Sequence, residues 1–159
     1  MTVLNYIKII ILPFIIFLSL ISCKIEETPH TREEEPEKIL PLSNSPGITS
    51  SYGEYRLGAF HMGIDFSTER EVGRPVFAVK DGYVWRIRQD RTGYGKVIYL
   101  KHGDGTMTVY AHLSSFRDSG RLKIQQRMDT RIETSGRKYG HQITFGPHDF
   151  PVKQGNIIA

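Results

Sequence analysis

The chain has 159 residues, a mass of 18.2 kDa and a formal net charge of +4. That is room for one ordinary domain with a short appendage, and 39% hydrophobic with 24% charged residues exclude a wholly disordered chain. One cysteine excludes an internal disulfide and any multi-cysteine zinc cluster, and so modest a charge gives no reason to expect a nucleic-acid partner.

The first 22 residues read as a secretory signal. Ile9 to Ile21 is apolar except for Pro13 and Ser19, and Lys8 is the charge before it. A run so short, broken by proline, suits a signal h-region better than a membrane span. It ends in Leu20-Ile21-Ser22-Cys23, which looks like a bacterial lipobox with Cys23 as the lipidated residue. On that reading residues 23–40 form a lipid-anchored, solvated linker. They carry Glu26, Glu27, Glu33, Glu34, Glu35 and Glu37, two prolines and no aromatic residue. His30 lies within this linker.

Residues 41–159 form the expected domain. They hold 17 Lys and Arg against 11 Asp and Glu, so the basicity sits here, and a basic face outside the inner membrane suits an anionic polymer or lipid surface. Short strands follow one another: one entered at Gly63 to Phe66, one over Pro75 to Val79, then Tyr83 to Gln89, Lys96 to His102 and Met107 to Ala111. Asp81-Gly82, Gly93-Tyr94-Gly95 and Asp104-Gly105 mark turns between them. No long 3.6-residue period is evident, so the expected fold class is mainly β, a small antiparallel sandwich or open barrel. Ser115 to Phe150 is polar and reads as an insertion, with Leu122 to Met128 as a strand or a single helical turn. Pro151 to Ala159 resumes a turn-then-strand pattern and then the chain stops, which suggests a truncated product or a partial record.

The residues that carry chemistry are histidines and an aspartate. His61-Met62-Gly63-Ile64-Asp65 offers an imidazole and a carboxylate, both zinc ligands, at the mouth of a strand. Tyr110-Ala111-His112-Leu113-Ser114 closes the hairpin's return strand. Alone, each is a weak signal. Together with Ser51-Tyr52-Gly53-Glu54-Tyr55-Arg56, Gly73-x-Pro75-Val76-x-Ala78, Asp81-Gly82-x-Val84 and Gly93-Tyr94-Gly95-x-Val97-Ile98, they come in one order from Ile48 to Ser114. In that order they resemble the M23 family of zinc metallopeptidases, the lysostaphin and LytM type.

The resemblance implies an antiparallel β fold with a zinc groove, with a peptidoglycan peptide bond as substrate. It implies His61 and Asp65 as two of three metal ligands, Zn²⁺ as cofactor and His112 as the catalytic histidine beside the attacking water. Joined to the lipobox reading of Cys23, it gives the expected partners, the peptidoglycan and a membrane reached through the lipid anchor, and an expected location in the cell envelope facing the periplasm or wall. One departure is plain. The family completes its site with a His-x-His pair on a later strand, and this sequence contains none. Gly146-Pro147-His148 precedes the Pro151 segment instead of following it, so His148 and also His141 read as poor substitutes, and His102 as a structural or exposed residue. The expected function is a wall endopeptidase impaired by the missing strand. The alternative is a non-catalytic relative that binds the wall or regulates other wall hydrolases.

Overall fold

The computed structural model describes residues 39–43, 45, 47–119 and 122–159. The expected signal, Cys23, His30 and most of the expected acidic linker lie outside these residues. Among the described residues no helix is long and apolar enough to cross a membrane.

The centre is an antiparallel meander of β5 (Gly82–Gln89), β6 (Lys96–Lys101) and β7 (Met107–Leu113). The strand β10 (His141–Thr144) joins the outer flank of β5, and β11 (Pro151–Val152) joins the same flank further along, giving the order β10-β5-β6-β7. The turns are those the dipeptides call for. Gly105 has φ 82°, and the Asp104 carboxylate accepts the Thr106 amide at 3.1 Å and its hydroxyl at 2.7 Å. Lys80 also bonds the Asp104 carboxylate, and these contacts hold it below the usual carboxylate range.

Strand β6 is buried on both faces, as a middle strand with two covered sides should be. One face carries Ile98 and Leu100 into the core with Val84, Ile87 and Tyr110. Ala78, Phe116, Phe150, Val152 and Ile158 close over it. Ile87 is fully buried, which contributes on the order of 1.5–3 kcal/mol. The other face is covered differently. Trp85 is the extra residue where the β5–β6 register shifts, and its ring meets that of Tyr99 edge-on at 6.3 Å. The Arg86 guanidinium lies 4.0 Å from the Tyr99 ring centre and 4.7 Å from that of Trp85, and the Lys101 ammonium lies 4.2 Å over Trp85. Long cationic side chains thus roof this face.

His102 is buried at the end of β6. Its Nδ1 meets the Asp81 carbonyl at 2.7 Å and its Nε2 meets the Thr108 hydroxyl at 2.9 Å. Gly82 is required beside it. A Cβ there would overlap the Lys101 carbonyl oxygen and stand 2.9 Å from His102 Nδ1.

Two expectations need correcting. The stretch read as a strand or one helical turn is a helix, α1 (Ile124–Ser135), ended by Gly136 at φ 66°. Its apolar residues Ile124, Met128 and Ile132 recur every fourth position, a stripe one residue wide among polar neighbours. That stripe is enough to pack on the core, which Ile124 and Met128 enter fully. The first turn gains a cap from outside, since the Gln125 amide donates to Asp118 Oδ1 at 2.8 Å. Asp118 belongs to β8 (Asp118–Ser119), which pairs with β9 (Leu122–Lys123). The apolar run Pro75 to Val79 is not a ladder strand. Only Phe77 makes a bridge, to Ile157, and the amides around it bond the Ala159, Pro41 and Asn156 carbonyls. The Val76 and Ala78 carbonyls accept amides from the same 155–159 segment, while Phe77 turns its amide to Pro41, so the pairing is short and irregular.

Candidate metal site

The site is assembled from two small pairs of strands before the main sheet. The strand β1 (Ile48–Ser50) pairs with β4 (Asp65–Phe66), which sets Ser50 opposite Asp65. Between them β2 (Tyr55–Arg56) and β3 (Ala59–Phe60) form a tight hairpin, with the Tyr55 and Phe60 rings packed edge-on at 5.7 Å. His61 leaves this hairpin with its backbone fastened on both sides. Its amide donates to the Glu54 carbonyl at 2.8 Å, and its carbonyl accepts the Gly53 amide at 2.7 Å.

These constraints bring the two predicted ligands together. His61 Nε2 lies 3.2 Å from Asp65 Oδ1. The imidazole is 12% exposed and the carboxylate 39%, so the pair lies near the surface. Behind it, His61 Nδ1 lies 3.0 Å from the Ser51 carbonyl oxygen and 2.9 Å from the Ser50 hydroxyl. The guanidinium of Arg56 donates from Nη2 to Asp65 Oδ2 at 2.5 Å and to the Ser50 hydroxyl at 2.8 Å. Glu54 accepts from the same hydroxyl. Ser50 was not singled out from the sequence, and Arg56 and Glu54 stood in a motif without a role. Short strands with no periodicity give no signal of which side chains will meet behind a ligand.

A metal can be tested against these atoms. Two ligands of a tetrahedral zinc, each about 2.0–2.2 Å from the ion, stand roughly 3.3 Å apart. The His61–Asp65 separation matches one edge of that tetrahedron. Among the described residues no group of three or more His, Cys, Asp or Glu is placed to hold a metal ion.

His112 lies on β7 where the β6–β7 register shifts by one residue, between the Ile98–Tyr110 and Lys96–Leu113 pairs. It has φ 57°, uncommon for a residue with a side chain, and its amide donates to the Tyr94 carbonyl at 3.0 Å. The bulge takes His112 out of the regular alternation and leaves it exposed. No hydrogen bond joins it to His61 or Asp65. His141 is buried, with Nε2 donating to the Arg137 carbonyl at 2.5 Å, so it fastens the end of α1 to the sheet. His148 is exposed on the loop after β10.

The order of motifs and the fold agree with what this chain is similar to. A model of peptidase family M23 matches residues 59–148, which include His61, Asp65 and His112. A Haemophilus influenzae protein named as an uncharacterized metalloprotease is 35% identical over 88 residues, 55% of this chain and 17% of that protein. The DD-carboxypeptidase/endopeptidase Mpg of Neisseria meningitidis is 39% identical over 56 residues, 35% of this chain and 12% of the relative. The cell division protein DipM of Caulobacter vibrioides is 32% identical over 79 residues, 50% of this chain and 13% of DipM. The matched segments thus cover less than a fifth of each of these relatives. No solved structure matches the chain. With the family model spanning more than half of the sequence and the two motif histidines and the aspartate inside it, the chain belongs to peptidase family M23.

Proposed function

We propose that this domain is a zinc-dependent metalloendopeptidase of the cell wall, acting on peptide bonds of peptidoglycan, and that its own residues leave it impaired. The observation that carries the reading is the 3.2 Å approach of His61 Nε2 to Asp65 Oδ1 at the motif positions. His61 and Asp65 would hold the ion, which when bound supplies Lewis acidity toward a carbonyl oxygen. His112 is proposed to orient the attacking water and stabilise charge developing at the carbonyl. The Mpg relatives are named as DD-carboxypeptidase/endopeptidase, which supports a peptidase. The proposed setting is the cell envelope, with Cys23 lipidated and the basic domain against the wall.

A second reading is favoured by the donor count. With two ligands and no His-x-His pair in the sequence, the domain would bind the wall or regulate other hydrolases without cutting. One experiment separates them. Purified peptidoglycan is incubated with zinc and the 159-residue chain, or with the same chain extended by a His-x-His strand, and newly released amines are counted. The endopeptidase reading expects slow or no release from the chain itself, and chelator-sensitive release from the extended form that His61→Ala abolishes. Fast chelator-sensitive release by the 159-residue chain would overturn the impairment. An extended form that binds wall but releases nothing would establish the second reading.

A further inference from the structure

Two cations on the face of the sheet turned away from the core lack a counter-charge. The Arg86 guanidinium lies over the rings of Trp85 and Tyr99, and the Lys101 ammonium also lies over Trp85. Both stand within 4.7 Å of the same ring centre, so one indole holds two positive charges close together. Among the described residues neither cation has a hydrogen-bond or ion-pair partner. Other cations of the domain are answered: Arg88, on the same strand, meets Asp90 at 2.7 Å, and Lys153 meets Asp81. Arg86 Nε is enclosed and unpaired, while its two Nη nitrogens reach the surface. The rings fix the plane of the guanidinium, so its fork is in place before any ligand arrives. Two parallel N–H groups of such a fork match the two oxygens of a carboxylate.

An apolar strip borders these charges. Across the β6–β7 ladder Met107 stands opposite Lys101 and Val109 opposite Tyr99, and both are about half exposed. Aliphatic side chains offer nothing to a bare phosphate, and two cations are too few for an extended polyanion. A carboxylate carried on a peptide uses both features. We infer that Trp85, Arg86 and Lys101 form a binding site for a peptide carboxylate, with Arg86 as the fork, Lys101 as the second charge and Met107 and Val109 against the apolar part of the ligand. The inference rests on the peptidase reading for the peptide, but it needs no metal and no part of the His61–Asp65 pair.

Trp85 reports the site directly, because the chain has one tryptophan. The whole chain is labelled with ¹⁵N, kept metal-free, and titrated with N-acetyl-alanyl-alanine, with the same dipeptide as its C-terminal amide, with acetate and with inorganic phosphate. The single indole N–H signal should move saturably with the dipeptide, with a dissociation constant on the order of 1 mM, as a few charge-assisted bonds at a surface allow. The dipeptide amide should leave it in place, and acetate, which cannot use the apolar strip, should bind about fivefold to tenfold more weakly. Arg86→Lys keeps a charge over the rings and loses the fork, and Lys101→Gln removes the second charge. Each should weaken the dipeptide about tenfold, with the dispersion of the other amide signals showing that the variants are folded. A signal unmoved by the dipeptide, moved equally by its amide or by acetate, or moved by phosphate and not by the dipeptide would overturn the inference. So would an affinity that both variants leave unchanged. Wall cleavage by the form extended with a His-x-His strand, without this binding, would overturn the site and leave the peptidase reading standing. Binding without cleavage by that form would count against the peptidase reading alone.

Discussion

The Lys153 ammonium lies 2.7 Å from the Asp81 carboxylate, joining the turn after β11 to the residue that precedes β5. The Gln154 amide adds a bond to the other carboxylate oxygen at 2.8 Å. With Lys153 as the main cause and the Gln154 amide second, Asp81 is held below the ordinary carboxylate range. A carboxylate whose folded pKa is depressed contributes stability that is present above its unfolded pKa and lost as pH falls through the folded one. The loss therefore begins below about pH 4. Amide protection over Lys153–Ile158, the exchange rate relative to the intrinsic rate at each pH, should fall as the chain is acidified through that range, and Asp81→Asn should show reduced protection already at neutral pH with little further acid effect.

Ile87 and Leu57 mark the two extremes of burial. Ile87 is fully enclosed in the core and Leu57 stands fully in solvent at the tip of the β2–β3 hairpin. Ile87→Ala should cost about 2–5 kcal/mol in urea unfolding. Leu57→Ala should stay within about 0.5 kcal/mol.

His102 should behave as a structural residue. His102→Ala removes the ring nitrogen that meets the Asp81 carbonyl, while the Thr108 hydroxyl keeps its bond to Tyr110, and this should cost roughly 1–3 kcal/mol. Gly82→Ala should be at least as damaging, because its new Cβ meets backbone that cannot move aside. Thermal unfolding compares the two directly.

Zinc binding should be weak. Structural zinc sites hold their ion by roughly 10–16 kcal/mol in peptide systems, so a missing ligand forfeits on the order of 3 kcal/mol, about a hundredfold in affinity. Calorimetric titration of the 159-residue chain should show this deficit, and His61→Ala should remove what binding remains.

Lipidation is checked by metabolic labelling with a fatty acid. The wild-type chain should take up label, and Cys23→Ala should take up none while its signal remains unprocessed.

The meander was the most legible part of the fold. Asp104-Gly105 and Gly93-Tyr94-Gly95 are turn residues flanking apolar runs, and the strands start and end within two residues of where those signals put them. The helix was not legible, because Ile124, Met128 and Ile132 give one apolar residue per turn, less than a pattern count needs but sufficient once the sheet supplies the other wall. At the site, His61 and Asp65 were visible as candidate ligands only through the order of the motifs, and the fold brings them within 3.2 Å. The Ser50–Arg56–Glu54 contacts were not, since they depend on β1 meeting β4 across a 15-residue separation. His112 was visible as a residue, while its bulge was not, because a one-residue register shift leaves no mark in composition.

The flank of β5 is covered by two strands in succession, and the chain between them leaves the sheet and returns. At the neck of that excursion the Phe145 and Phe150 rings meet edge-on at 4.5 Å, while the Phe145 amide donates to the Trp85 carbonyl at 2.8 Å and the Val84 amide to the Phe150 carbonyl at 2.9 Å. The excursion is thus closed at its base before its length matters. Doubling a flexible loop costs only about 0.6 kcal/mol in closure entropy. Extra residues inserted at the exposed Pro147–His148 tip would therefore lengthen the protrusion and leave the pairing of β5 intact, which makes this the place where the domain can acquire new surface without renegotiating its core.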